Sequence, residues 1–358
     1  MIVLGIETSC DDTAAALVEH GAPGSGAPPR LLTNVVAVQD VHREFGGVVP
    51  ELASRAHLEL LPGTVERALS EAGIGFGGID GIAVTRAPGL LGALLVGVSY
   101  AKALAVALDR PFVGVNHIEA HLLAPLLEGA TLEFPAVGAV VSGGHCEIFV
   151  VHALGAYSIV GTTRDDAIGE AFDKAAKLLG LGFPGGPAVD RLAAQGDAAR
   201  HPLPRGMSAS GDLDLSYSGL KAATRRLIEG PAGALLREAP ESPEAAQLRA
   251  DICASFQVAA VDPLLSKLET AARRYGARSL VVGGGVACNS RLRDGLAALG
   301  TRLGIPAFRP SPALCADNAA MIALVGGLRL ARGERDELDL EPVPGLDESG
   351  LVAPGTPA

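Results

Sequence analysis

The sequence has no tryptophan, and aromatic residues make up only 4% of its 358 positions. With 48% hydrophobic and 19% charged residues, it is a globular chain whose interior has to be built from alanine, valine, leucine and glycine. It also lacks a basic excess. Lys and Arg number 29 against 40 Asp and Glu, and the formal charge of −11 excludes a broadly basic nucleic-acid surface. Any nucleic acid must meet a local basic patch or one that a partner supplies. The cysteines, Cys10, Cys146, Cys253, Cys288 and Cys315, are scattered, odd in number and never in C-x-x-C. That excludes a disulfide framework and a cysteine zinc site, and the simplest setting is a reducing cytoplasm. The run Met1-Ile2-Val3-Leu4-Gly5-Ile6-Glu7 lacks the basic region of a secretory signal. One stretch alone, Gly89 to Leu108, approaches bilayer length, and Lys102 with Gly89, Gly92 and Gly97 interrupts it. It reads as a buried helix and not as a membrane span.

What is present repeats. The length predicts two domains or a duplicated one. Residues 2–6 form an apolar β run, Glu7-Thr8-Ser9-Cys10-Asp11-Asp12-Thr13 a polar turn, and Ala14–Val18 a second run. A Gly/Pro-rich loop at 21–29 precedes a strand at 31–38, a helix runs from Pro50 to about Ala72, and Ile79–Thr85 is a further strand. The pattern returns at Ala136–Val141, Ser142-Gly143-Gly144-His145, Cys146–Val151 and Ala156–Thr162, with glycines where the first copy carries Ser and Asp. Such a turn can bind an anion through its backbone N–H groups. A third glycine turn, Gly283-Gly284-Gly285, lies between the strand Ser279–Val282 and a helix begun near Ser290, an arrangement that suits a phosphate. The expected fold is α/β: two βββαβα halves facing each other across a cleft. Residues 240–275 read as one long helix, and Arg205, Lys221, Arg225 and Arg226 form a candidate basic patch.

One spacing points to a metal. His117 and His121 lie four residues apart in Asn116-His117-Ile118-Glu119-Ala120-His121. On a helix at about 100° per residue they share a face roughly 40° wide and can reach one ion. Glu119 projects elsewhere, which argues against the H-E-x-x-H arrangement of a zinc protease. Two histidines with one hard carboxylate suit iron or zinc, and Asp317, at a helix start in Ser311-Pro312-Ala313-Leu314-Cys315-Ala316-Asp317-Asn318, is the best-placed third ligand. Taken alone, paired or capping helix histidines explain the motif equally well. Asp173 and Asp190 are placed to hold sugar hydroxyls, against an ordinary reading as solvated helix carboxylates.

Together, Gly5-Ile6-Glu7-Thr8-Ser9-Cys10-Asp11, Gly46-Gly47-Val48-Val49-Pro50-Glu51, Pro88-Gly89-Leu90, His117-x-Glu119-x-His121, Val141-Ser142-Gly143-Gly144-His145, Gly169-Glu170-Ala171-Phe172-Asp173-Lys174, Pro184-Gly185-Gly186-Pro187, Ser216-Tyr217-Ser218-Gly219-Leu220-Lys221, Gly283-Gly284-Gly285-Val286 and Ala316-Asp317-Asn318 resemble, in order, the TsaD/Kae1/Qri7 family. The resemblance covers residues 1–330 and implies the ASKHA (actin, sugar kinase and Hsp70-like) fold. It implies transfer of the threonylcarbamoyl group of threonylcarbamoyl-adenylate to N6 of adenosine 37 in tRNAs that read ANN codons.

Carried over by residue, the resemblance implies that His117, His121 and Asp317 bind one divalent metal, iron first and zinc second. Val140, Val141, Ser142, Gly143, Gly144, Asp173, Gly186, Asp190 and Asn289 would bind the adenylate. Asp11 is the candidate for proton removal from the attacking amine. Asp12 stands where many members have Glu, and Cys146 and Cys288 replace commoner Thr, Ala or Ser. The expected organisation is one subdomain at 1–115 with 311–333, a second at 116–310, and a loose acidic tail from 334 to 358. The implied partners are TsaB-type and TsaE-type proteins and tRNA, with a TsaC-type enzyme supplying the adenylate, in the cytoplasm and without a membrane. The competing readings are a metal-dependent peptidase, a non-catalytic ASKHA scaffold, and a small-molecule kinase or carbamoyltransferase on the same fold.

Overall fold

A computed structural model describes residues 1–22, 27–39, 41–42, 47–208 and 210–345. The opening apolar runs become three strands, the first two buried along nearly their whole length, as strands covered on both faces must be, and the third, at the sheet edge, mostly half-buried or exposed. They are β1 (Ile2–Glu7), β2 (Asp12–Glu19) and β3 (Arg30–Val38), followed by α1 (Pro50–Ala72), β4 (Gly81–Ala87), α2 (Leu91–Leu108), β5 (Phe112–Asn116) and α3 (His117–Leu123). The second half holds β6 (Ala136–Val141), β7 (Cys146–Ala153), β8 (Ala156–Thr162), α4 (Ile168–Leu178), α5 (Gly185–Ala193), α6 (Ser218–Glu229), α7 (Ala234–Glu238), α8 (Pro243–Tyr275), β9 (Ser279–Gly283), α9 (Ser290–Leu303) and β10 (Ala307–Phe308). The chain then forms α10 (Pro312–Cys315) and α11 (Ala319–Ala331). Gly46 of the Gly46–Glu51 motif, residues 23–26 of the predicted loop and 346–358 of the tail lie outside the described residues.

The contacts divide the chain into two units, Met1–Leu132 with the chain from Pro310, and Glu133–Arg309. Their sheets have one plan. The first is ordered β3-β2-β1-β4-β5, the second β8-β7-β6-β9-β10. In each, the first three strands of the unit pair antiparallel and the last two add in parallel. This is the expected duplication of the ASKHA core.

In the first unit the strand period of two sorts the side chains. Leu4, Ile6, Ala15 and Leu17 pack on one face with Leu61 and Val65 of α1 and Val98 and Ala101 of α2. Ala14 and Ala16 turn to the other face, where they meet Ala319 and Ala320 of α11. Gly5 lies on that same face: a Cβ there would overlap the Ala319 carbonyl, so only glycine admits α11 this close.

Three expectations need correcting. The subdomain boundary falls at 132/133 rather than 115/116, because α3 and the turn after it pack with α11 inside the first unit. The tail is not loose from 334. Asp336 N donates to Phe112 O, Gly114 N donates to Asp336 Oδ2, and Val343 N donates to Arg86 O, so residues 334–345 cover the edge of β5. The predicted buried helix is buried on one face only. Ala93, Leu94, Gly97, Val98, Ala101 and Ala105 are inside, while Leu91, Leu95 and Val106 are exposed, because α2 covers its sheet as an outer layer.

Candidate metal centre

The centre is assembled at the ends of two strands in the first unit. β5 leaves the sheet at Asn116, whose side chain caps α3 by accepting from Ile118 N (2.9 Å) and Glu119 N (3.2 Å). That cap starts the helix at His117 and puts His121 one turn along the same face. The two rings lie edge to face, with centroids 4.6 Å apart and Nε2 atoms 3.1 Å apart. Asp317 sits two residues before α11, whose start is fixed by Asn318 accepting from Met321 N. Its Oδ1 is 3.1 Å from His121 Nε2 and 3.4 Å from His117 Nε2. Among the described residues, His117, His121 and Asp317 form the one cluster with metal-ligand spacing. Glu119 is not in it.

A fourth residue completes the arrangement, and the sequence did not single it out. Glu7, fully buried at the end of β1, places Oε2 2.9 Å from His117 Nδ1. Its carboxylate also accepts from Thr85 Oγ1 (2.6 Å) and Ser9 N. With Nδ1–H donated to Glu7, His117 keeps its Nε2 lone pair for the cluster, the carboxylate–histidine relation common around bound metals. A charged residue closing an apolar strand was the available signal.

The electrostatics favour a positive charge here. Burial opposes the protonation of His117, yet Glu7 and then Asp317 overcome it and raise its pKa to about 10. Asp317 is held well below the usual carboxylate range; burial opposes this, and the His117 charge prevails. His121 goes the other way, lowered by burial and by His117, and its buried Nδ1 has no hydrogen-bond partner among the described residues. Two imidazole nitrogens and a carboxylate oxygen converging within 3.4 Å are placed to share one cation or one proton. The donor set fits a divalent ion of the iron or zinc type.

Asp11 and Asp12 lie beside this cluster in sequence, but differ in place. Asp11 is in the bend between β1 and β2, whereas Asp12 is the first residue of β2. Burial, then the charges of Asp317, Asp11 and Glu7, push the Asp12 carboxyl up to about 7.

In the second unit the residues expected to hold the adenylate have other partners too. The side chains of Val140 and Val141 are fully buried and their backbones pair in the sheet, so the exposed turn begins at Ser142. Ser142 closes that turn, its N donating to His145 O and its Oγ accepting from His145 N. Gly143 and Gly144 are exposed, have no positive φ, and have nothing within 4 Å of a Cβ position. The fold does not demand glycine there, and the open space leaves room for the close approach of a ligand. Gly186 has equally open space, while Gly284, at φ 88°, is pressed on Val141 O. Asp173 accepts from Gly185 N (2.7 Å) and so holds the start of α5. Asp190 accepts from Gln257 Nε2, Asn289 Nδ2 and Ser290 Oγ, and Asn289 Oδ1 caps α9 by accepting from Leu292 N. Each carboxylate projects from within one helix, α4 or α5, and holds the start of another, α5 or α9. The predicted basic patch is largely neutralised: Arg205 pairs with Asp262, Lys221 with Asp166 and Arg225 with Glu229.

A family model described as TsaD, tRNA N6-adenosine threonylcarbamoyltransferase, matches residues 30–324. A protein of that name from Trichlorobacter lovleyi is 51% identical over 342 residues, covering 95% of each chain. One from Syntrophotalea carbinolica is 47% identical over 357 residues, covering 99% of each. Among solved structures, T. kodakarensis HypF superposes with a TM-score of 0.54 at 13% identity, over 92% of this chain and 47% of that one, a likeness of fold alone.

Proposed function

The chain belongs to the TsaD family of tRNA N6-adenosine threonylcarbamoyltransferases, and from that premise we propose how its own residues serve the transfer. The enzyme moves the threonylcarbamoyl group from threonylcarbamoyl-adenylate to N6 of adenosine 37 in ANN-reading tRNA. The N6–carbonyl bond forms, the bond from that carbonyl to the phosphate oxygen breaks, AMP leaves, and one N6 proton is released. The observation that carries this reading is the buried convergence of His117, His121 and Asp317 with Glu7 behind them.

His117, His121 and Asp317 would hold the ion, iron first and zinc second. When bound it would supply Lewis-acid stabilisation of charge on a substrate oxygen. The acyl group is already activated by its phosphate leaving group, so no covalent nucleophile is required and positioning carries the rate. In the turn that Ser142 closes, the N–H groups of the exposed Gly143 and Gly144 would take the phosphate, with Asp173, Gly186, Asp190 and Asn289 around the nucleoside. Asp11 would accept the N6 proton. Because Arg205, Lys221 and Arg225 are paired internally, we assign much of the tRNA-facing charge to partners of the TsaB and TsaE types. The exposed Leu58 on α1, and Leu91, Leu95 and Val106 on α2, offer apolar surface for such a partner. A TsaC-type enzyme would supply the adenylate, and the reaction would belong to the cytoplasm.

The test is reconstitution: this protein with TsaB- and TsaE-type partners, a TsaC-type enzyme, threonine, bicarbonate, ATP and an ANN-decoding tRNA, with nucleosides read by mass spectrometry. Threonylcarbamoyladenosine should depend on this protein. The His117→Ala, His121→Ala double variant should keep its circular dichroism, lose most of its metal and lose transfer. Transfer retained in the metal-free double variant would remove the metal role.

A further inference from the structure

A buried chain of hydrogen bonds runs from the start of α1 to the bend that carries Asp11. Val49 N donates to His42 Nδ1 (3.2 Å), and His42 Nε2 contacts Gln39 Oε1 (2.9 Å). Gln39 Nε2 reaches both Thr13 Oγ1 (3.4 Å) and Ala53 O (3.3 Å). Thr13 Oγ1 meets His57 Nδ1 (2.8 Å), and His57 Nε2 meets Cys10 O (3.0 Å). His42, Gln39, Thr13 and His57 are all buried, Thr13 and His57 completely.

The two ends fix the direction of every link. A backbone N–H can only donate, so His42 accepts at Nδ1 and carries its proton on Nε2. A carbonyl can only accept, so His57 carries its proton on Nε2 and accepts the Thr13 hydroxyl at Nδ1. Both amide hydrogens of Gln39 are then used, and each bond along the relay is satisfied in one sense only. Burial lowers the pKa of His57, in keeping with a neutral ring in this relay.

The receiving atom is what gives the relay a use. Cys10 O belongs to the planar peptide whose nitrogen is that of Asp11, so a bond to that oxygen orients the plane from which the Asp11 side chain departs. On the other side of the bend, Leu90 N donates to Ser9 O (2.8 Å) and a Cβ on Gly89 would overlap that same oxygen's surroundings. Two adjacent carbonyls are thus clamped from two helices, and Asp11 follows directly. We infer that His57 is a positioning residue for threonylcarbamoyl transfer, holding the Cys10–Asp11 peptide so that Asp11 meets the attacking amine. This rests on the reading of Asp11 as proton acceptor.

Four variants in the reconstituted system, with single-turnover rates, KM for the adenylate, metal content and melting temperature, test it. His57→Leu should lower the chemical rate at least about tenfold while KM and metal content stay near wild type, since misplacement acts on the reacting geometry. His57→Gln, which restores an N–H to Cys10 O, should recover to within about threefold of wild type, and Thr13→Val, which removes the donor to His57, should fall between. His57→Leu reacting at the wild-type rate, His57→Gln as slow as His57→Leu, or a loss of metal in step with rate would overturn the inference. Should His57→Leu not fold, a wild-type rate in the near-isosteric Thr13→Val decides against it. Asp11→Asn separates the two levels. If it is slow and His57→Leu is not, positioning alone fails; if it reacts normally, the proton-acceptor reading falls and takes the inference with it.

Discussion

Glu7 Oε2 stands 2.9 Å from His117 Nδ1, with the Glu7 side chain fully buried and that of His117 5% exposed. The pair fixes the imidazole tautomer, and Thr85 and Ser9 fix the carboxylate in turn. Glu7→Gln has one carbonyl oxygen for three donors and cannot serve them all. Metal affinity should fall about 10- to 100-fold, the usual cost of losing such an outer partner. Competition with a chromophoric chelator measures it; unchanged affinity would show that Glu7 has no part in the centre.

Two glycines should respond in opposite ways. Gly144→Ala meets nothing and has an ordinary φ, so its stability should change by no more than about 0.5 kcal/mol while KM for the adenylate rises. Gly284→Ala, at φ 88° and against Val141 O, should lose more than about 1 kcal/mol. Urea melts and adenylate titrations distinguish the two, and a Gly144→Ala enzyme with normal KM would count against the phosphate turn.

Glu147 predicts a pH dependence. Burial within the sheet raises its carboxyl from 4.5 to about 7, and its Oε2 is buried without a hydrogen-bond partner among the described residues. The folded state therefore binds the proton more tightly than the unfolded state does. The stabilisation is complete below about 4.5 and is lost as pH rises through about 7. At pH 8 Glu147→Gln should exceed wild type by up to about 3 kcal/mol, the gap closing as pH falls. Denaturant melts of both proteins from pH 5 to 8 check this, and a gap that does not vary with pH would refute the assignment.

The segment over β5 has a measurable weight. Asp336→Ala removes the acceptor of Gly114 N (2.8 Å) and a nearby charge for Arg329, and should destabilise the protein by about 1–2 kcal/mol. A melt within error of wild type would mean that water replaces the bond.

Much of this was readable beforehand, because it is local. Strand periodicity, glycine turns and the recurrence of one pattern announced two similar sheets, and the spacing of His117 and His121 already put both rings on one helical face. Boundaries were less exact: the strand predicted at Ile79–Thr85 runs Gly81–Ala87, since the apolar run starts before the first ladder pair and the ladder continues past the polar Arg86 to Ala87. The expected adenylate residues were legible as types and not as states. Asp173 and Asn289 look like free polar side chains in sequence, yet each is spent partly on a helix start.

The sequence by itself determined the elements, the duplication and a two-histidine helix face, all products of short-range sterics and of side-chain periods of 2 and 3.6 residues. Only the tertiary structure decided that Asp317, a candidate from sequence 196 positions from His121, in fact meets the two histidines, that Glu7 bonds His117, and that His57 reaches Cys10. Those pairings depend on which strands lie side by side and which buried polar groups must satisfy one another, and no local pattern encodes either.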